Sequence, residues 1–133
     1  MVDFNAALRT TLLLVDDDAQ QLELRTLMLK KFGFNVWAAS SSVEALSIIA
    51  QSPWLVVDVA VLDYDMPAMN GCVLADYLRT RYPKVKIILH SGAVEIPERE
   101  MRNVDAYIPK GDGPERLLKE VSGNYREALR PQR

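Results

Sequence analysis

Residues 58–71 read DVAVLDYDMPAMNG: an apolar run stops at two acids one residue apart, Asp63 and Asp65, and a Pro/Asn/Gly turn follows. A short apolar run bounded by turn residues fits a strand buried on both faces, as the strands of parallel sheets are. The turn accounts for part of the polarity, because Asp, Pro, Asn and Gly all suit turns. Two acids at the mouth of a buried strand still call for a partner.

Outward from this stretch, short apolar runs alternate with amphipathic segments, the rhythm of βα units. TLLLV at 11–15 reads as a first buried strand and runs into Asp16, Asp17 and Asp18. Residues 19–32 carry Leu22 and Leu29 at helical spacing, with Gly33 as a stop. FNVWAA at 34–39 is a second strand; Ser41 and Glu44 then have capping-box spacing for a helix through about Ala50, with Val43, Leu46, Ile49 and Ala50 on one face. After the third strand, DVAVLD, a helix over 71–81 carries Val73, Leu74, Tyr77 and Leu78 and ends before Pro83. VKIILHSG at 85–92 is a fourth strand, PEREMRN at 97–103 a short connecting segment, and DAYIPK at 105–110 a fifth strand. Gly113-Pro114 opens a last helix with Leu117, Leu118 and Val121 on its buried side; Gly123 is expected to kink or end it, and Pro131 to stop the remainder. The expectation is an α/β fold of five strands and five helices.

Composition narrows the function. A chain of 133 residues, 49% hydrophobic, has the core of one domain and is too short for two. Sixteen basic against 18 acidic residues leave a net charge of -2, with no electrostatic footprint for nucleic acid or an anionic membrane, so direct nucleic-acid binding is not expected. Cys72 is the sole cysteine, which excludes an intrachain disulfide or a thiolate metal site and suits a reducing, cytoplasmic setting. The first residues, MVDFNAALRTTLLLV, contain no long apolar segment, so neither a targeting signal nor membrane insertion is expected.

In a parallel sheet the C-terminal strand ends share one edge, and ligands bind where the strand order switches direction. Asp16 and Asp17, Asp63, Ser91 and Lys110 all end strands and so fall on that edge. Crowded carboxylates resist ionising together unless a cation offsets them, and an oxygen-lined acidic pocket is what Mg²⁺ takes. An ammonium and a hydroxyl beside it suit the remaining oxygens of a phosphoryl group. Each residue also has a plain alternative. One of Asp16, Asp17 and Asp18 will cap the first helix, although three exceed a cap's need. Lys110 alone reads as a solvated lysine, Ser91 as loop, Tyr107 as a half-buried edge residue and His90 as packing; Trp37 and Trp54 read as core and helix-end packing.

VDDD, LDYDMPAMNG, HSG and YIPK occur in one order between about Thr11 and Leu129, and on these motifs the chain resembles the receiver domains of two-component response regulators, including the single-domain chemotaxis type. The resemblance implies a flavodoxin-like three-layer sandwich with strand order 2-1-3-4-5. It makes Asp63 the phosphoacceptor for a sensor histidine kinase or phosphotransfer protein, with Mg²⁺ (or Mn²⁺) as cofactor. Asp17 would be a direct ligand, Asp16 would act largely through water, the Asp65 backbone carbonyl would be a further ligand, and Asp18 would lie outside. Ser91 matches the hydroxyl that turns towards the phosphoryl group, Gly92 the small residue that leaves access open, and Lys110 the lysine that holds a phosphoryl oxygen. Tyr107 matches the aromatic switch, exposed when inactive and turned inwards when active. The implied protein is a signalling phosphoacceptor rather than an enzyme: a receiver over residues 11–130, with a lead-in at 1–10, a tail at 131–133 and no output domain. It would act as a monomer or a weak phosphorylation-dependent dimer, presenting its fourth and fifth strands and helices to an unnamed protein target.

The chain departs from the family pattern in places. The family commonly has proline directly after the lysine; here Gly111 follows Lys110 and Pro109 precedes it, which an edge strand tolerates and which leaves a looser loop around Lys110. Nineteen positions separate Ser91 from Lys110, about a turn fewer than usual, and Pro97 lies among them, so the fourth helix should be short or irregular. Asp65 adds charge near the phosphoryl position. Two other readings compete. One is a pseudo-receiver that binds partners without being phosphorylated. The other is a haloacid-dehalogenase-like phosphatase with Asp63 as nucleophile and Asp65 as acid/base, although that motif normally opens its fold and continues unlike Met66-Pro67.

Overall fold

The computed structural model describes residues 10–92 and 95–129, with side chains through Gly123. Strand β1, Thr11–Val15, leads into helix α1, Ala19–Lys31, and strand β2, Asn35–Ala39, into helix α2, Ser42–Gln51. Strand β3, Val59–Leu62, is followed by α3, Gly71–Arg81, and β4, Lys86–Ser91, by a 3-10 helix η1, Glu98–Asn103. Strand β5, Ala106–Pro109, passes through a short 3-10 turn, Lys110–Asp112, into α4, Pro114–Leu129. The sheet is parallel with order β2-β1-β3-β4-β5. The expected flavodoxin-like topology is thus present, with η1 as the short fourth helix of the five.

Alternation along the strands builds two cores, one on each face. Leu12, Leu14, Val59, Val61, Ile88 and Ile108 meet Leu29 of α1 and Leu117 and Val121 of α4. Leu13, Val15, Ala60, Leu62, Ile87 and Leu89 meet Ala45 and Ile49 of α2 and Leu74, Ala75 and Leu78 of α3. Every residue of β3 is buried, as its unbroken apolar run requires.

Local chemistry sets the helix ends. Asp18 caps α1, its carboxylate accepting from the Gln20 and Gln21 amides; Ser41 caps α2 and accepts from the Glu44 amide, while Glu44 reaches back to the Ser40 amide. Asn70 caps α3 through the Val73 amide. Pro97 precedes η1, and six residues with no side-chain cap make a 3-10 rather than an α-helix. Side chains hold this short segment in place: Asp76 accepts from Arg102 and Asn103, and Arg79 donates to the Asn103 carbonyl and to Asp105.

Some expectations need correction. In α2 the buried stripe is Ser42, Ala45 and Ile49, while Val43 and Ala50 face solvent; in α3, Val73 and Tyr77 are exposed beside buried Leu74 and Leu78. Gly123 does not end α4, which continues to Leu129, and Pro131 lies outside the described residues. The two tryptophans pack as expected: Trp37 is half-buried against the core, and Trp54, just past the end of α2 and 68% exposed, meets it edge to face with ring centroids 5.6 Å apart. Among the described residues no helix is long and apolar enough to cross a membrane.

Candidate functional site

Parallel register brings the strand ends level: Val15 pairs with Leu62, Leu62 with Leu89, and Ser91 with Pro109. One residue further on, the Asp63 amide donates to the Val15 carbonyl at 3.0 Å and the Asp16 amide to the Ala39 carbonyl at 3.2 Å. Asp16 and Asp63 thus stand side by side across β1 and β3, the two strands between which the order switches direction.

Lys110, arriving from the edge strand, closes the group. Its Nζ donates to Asp16 Oδ2 at 2.9 Å and to Asp63 Oδ2 at 3.1 Å. The Lys110-Gly111 loop places this ammonium where the sequence pattern calls for it without a following proline. Asp16 Oδ2 also accepts from Arg25 Nη1 at 3.2 Å, and Asp16 Oδ1 from the Asp18 amide at 2.9 Å. Asp17 is exposed, and oxygens of Asp16, Asp17 and Asp63 all lie within 4.8 Å of one another. Three carboxylates at that spacing fit a hard, oxygen-seeking divalent cation such as Mg²⁺, and offer nothing to a thiophilic one. Of the three aspartates, one of which was expected to cap the helix, Asp18 does so, and the exposed Asp65 side chain is outside the cluster.

The electrostatics follow from burial. Burial pushes the Asp63 carboxyl above its ordinary range; the Lys110 charge and hydrogen bond and the Ser91 hydroxyl pull it down, Asp16 pushes it up, and the rise prevails. Burial works to lower the Lys110 ammonium, but the hydrogen bond and charge of Asp16 and the charge of Asp63 outweigh it and raise it, so Lys110 is charged at neutral pH. A carboxyl raised on folding favours the native state while protonated, below its unfolded value, and that contribution is lost as pH rises through the raised value. Asp63→Asn is therefore expected to raise the thermal midpoint at neutral pH in EDTA, by on the order of a few degrees, as read by circular dichroism. A lowered midpoint would contradict this electrostatic account.

Ser91 is fully buried beside the cluster, and the Tyr107 hydroxyl donates to its backbone carbonyl at 3.3 Å. Tyr107 is half-buried against the core. Among the described residues, none lies within 4 Å of a Cβ added at Gly92. His90 is buried, with Nδ1 2.9 Å from the Ile108 carbonyl, and burial pushes its imidazole down: a neutral packing histidine. Burial likewise pushes the Cys72 thiol up to about 11, which leaves it unreactive at neutral pH.

Three residues near the site were not singled out in the sequence. Arg25 sits on a helix turn that reads as ordinary surface. Gly71 reads as turn chemistry, yet a Cβ there would lie 2.2 Å from the Asp63 carbonyl oxygen. The Tyr64 hydroxyl donates to Glu100 of η1 at 3.0 Å, a contact across 36 positions that no local pattern signals.

Comparison with known proteins places the chain in a family. Residues 12–122 match the family described as the response regulator receiver domain. The DNA-binding response regulator MtrA of Mycolicibacterium paratuberculosis is 29% identical over 121 residues, covering 90% of this chain and 52% of the relative. The sensor kinase CckA of Brucella abortus is 35% identical over 125 residues, covering 92% of this chain and 13% of the kinase. The chain thus spans about half the length of the MtrA relatives, and less of CckA. Among solved structures, a CheY-like receiver domain protein from Methanospirillum hungatei superposes with a TM-score of 0.81 at 27% identity, covering 90% of this chain and 96% of that one. The Thermotoga maritima response regulator TrrA, solved with Mg²⁺-BeF, gives 0.77 at 25% identity, covering 86% and 98%.

Proposed function

Because the chain belongs to the response regulator receiver domain family, we propose that it is a phosphoacceptor of two-component signalling, with Asp63 taking a phosphoryl group from a sensor histidine kinase or phosphotransfer protein. The observation that carries this reading is the Lys110 ammonium shared between Asp16 and Asp63, with Asp17 completing an acidic cluster around the same point. Asp16, Asp17, Asp63 and the Asp65 carbonyl would hold Mg²⁺ (or Mn²⁺). When bound, the cation offsets carboxylate repulsion and the negative charge of the transferring phosphoryl group.

The remaining roles belong to this chain's own residues. An Asp63 carboxylate oxygen forms the new O–P bond while the P–N bond of phosphohistidine breaks and the imidazole leaves. Lys110 turns from Asp63 to a phosphoryl oxygen, and Ser91 gains a charged acceptor in place of the carboxylate. Movement of Ser91 acts on Tyr107 through the hydroxyl contact to its carbonyl, and so reshapes the face formed by β4, η1 and β5. That face is the proposed surface for a protein target, with phosphorylation biasing a two-state element; the protein works in the cytoplasm and is not an enzyme acting on a separate substrate.

The test is intact mass after incubation with acetyl phosphate and Mg²⁺. One added phosphoryl group, absent in EDTA and in Asp63→Asn, is expected. An unmodified wild type that also fails to bind beryllofluoride would reduce the chain to a partner-binding pseudo-receiver.

A further inference from the structure

Asp16 is paired with more positive charge than the proposed reaction accounts for. Its Oδ2 accepts from two cations, Lys110 at 2.9 Å and Arg25 at 3.2 Å, and its Oδ1 is engaged by the Asp18 amide. Both lone pairs of Oδ2 are thereby committed to cations. Arg25 is aimed rather than free: the same Nη1 donates to Gln21 Oε1 at 2.9 Å, one turn earlier on α1, and the side chain is 18% exposed. Arg25 and Lys110 also line one hollow of about 320 Å³ between α1 and the start of α4, so the guanidinium stands at the site's wall with open space beside it.

We propose that Arg25 is a positioning residue that sets divalent-cation affinity by holding Asp16. This rests on the metal and phosphoacceptor reading above. Three carboxylates against Lys110 and Arg25 leave one net negative charge to attract a dication; without Arg25 there are two. A fixed positive charge within the cluster opposes a second one in proportion to proximity. Arg25 has a complementary use once a phosphoryl group is present. When Lys110 moves to a phosphoryl oxygen, buried Asp16 would lose its ammonium partner, and the guanidinium keeps that carboxylate paired. Weak metal loading is the cost of a carboxylate that stays satisfied through the switch.

The experiment is Mn²⁺ binding, followed by loss of the free-ion paramagnetic resonance signal, with Mg²⁺ as competitor and no phosphodonor present. Arg25→Ala is expected to bind Mn²⁺ about three- to tenfold more tightly than wild type. Gln21→Ala, which releases the guanidinium without changing charge, should fall between them, and Arg25→Lys should stay near wild type. A gain in affinity separates this role from a structural one, because a disordered site binds less. Unchanged or weaker binding by both Arg25→Ala and Gln21→Ala would overturn the proposal while leaving the metal reading in place. Absence of binding by every form would overturn the metal reading and the proposal with it.

Discussion

Lys110→Ala is expected to slow phosphoryl transfer to Asp63 by about 10²- to 10³-fold, the usual cost of losing one preorganised charge-stabilising donor. Lys110 Nζ lies between Asp16 and Asp63, and its charge and hydrogen bond are the largest influences holding the Asp63 carboxyl down against burial. Without it, burial and Asp16 act with less opposition, and Asp63 is pushed further up. The pH dependence gives a second readout. The nucleophile must be ionised, so the wild-type rate should fall on acidification, and in Lys110→Ala, which lacks one of the positive charges beside Asp63, that limb should move to higher pH. Initial rates of adduct formation across pH, read by intact mass, check both. A variant within tenfold of wild type on an unmoved limb would show that the lysine neither stabilises the transferring charge nor holds the Asp63 carboxyl down.

Gly71→Ala is expected to cost about 3 kcal/mol of stability, the upper range for overpacking a core. The added Cβ would sit 2.2 Å from the Asp63 carbonyl oxygen and 3.0 Å from both its carbonyl carbon and Leu89 Cδ1. The Asp63 backbone has little room to yield, because its amide is bonded to the Val15 carbonyl and the Gly71 amide to the Tyr64 carbonyl, each at 3.0 Å. Relief must come from the loop that carries the nucleophile, so phosphoryl acceptance should fall with stability. Gly92→Ala is the control: its Cβ meets none of the described residues within 4 Å, and a change within about 0.5 kcal/mol is expected. Chemical denaturation of the three proteins measures the difference, and equal midpoints would show that the loop accommodates a methyl group.

Much of this was legible because the strands are short apolar runs ending in the residues that matter. TLLLV and residues 71–81 form their elements over the expected bounds, and the parallel order carries Asp16, Asp63 and Lys110 to one edge. Helix faces were less legible. In α2, apolar residues occur at 43, 45, 46, 48, 49 and 50, so periodicity allows several stripes, and the crossover onto the sheet selects the one with Ser42, Ala45 and Ile49. Arg25 was illegible for a different reason. Its reach to a carboxylate nine positions earlier depends on the turn that reverses the chain between β1 and α1, which spacing alone does not encode. Gly71 likewise needed the Asp63 backbone placed against it before its lack of a side chain acquired a meaning.

The central claim is that Asp63, among several neighbouring acids, receives the phosphoryl group. Borohydride reduction of the phosphorylated protein converts an acyl phosphate to an alcohol and so marks the modified aspartate as homoserine, which peptide mass mapping locates. The account predicts homoserine at position 63 in the wild type and at no position in Asp63→Asn. Homoserine at Asp16, Asp17 or Asp65, or its persistence in Asp63→Asn, would contradict it.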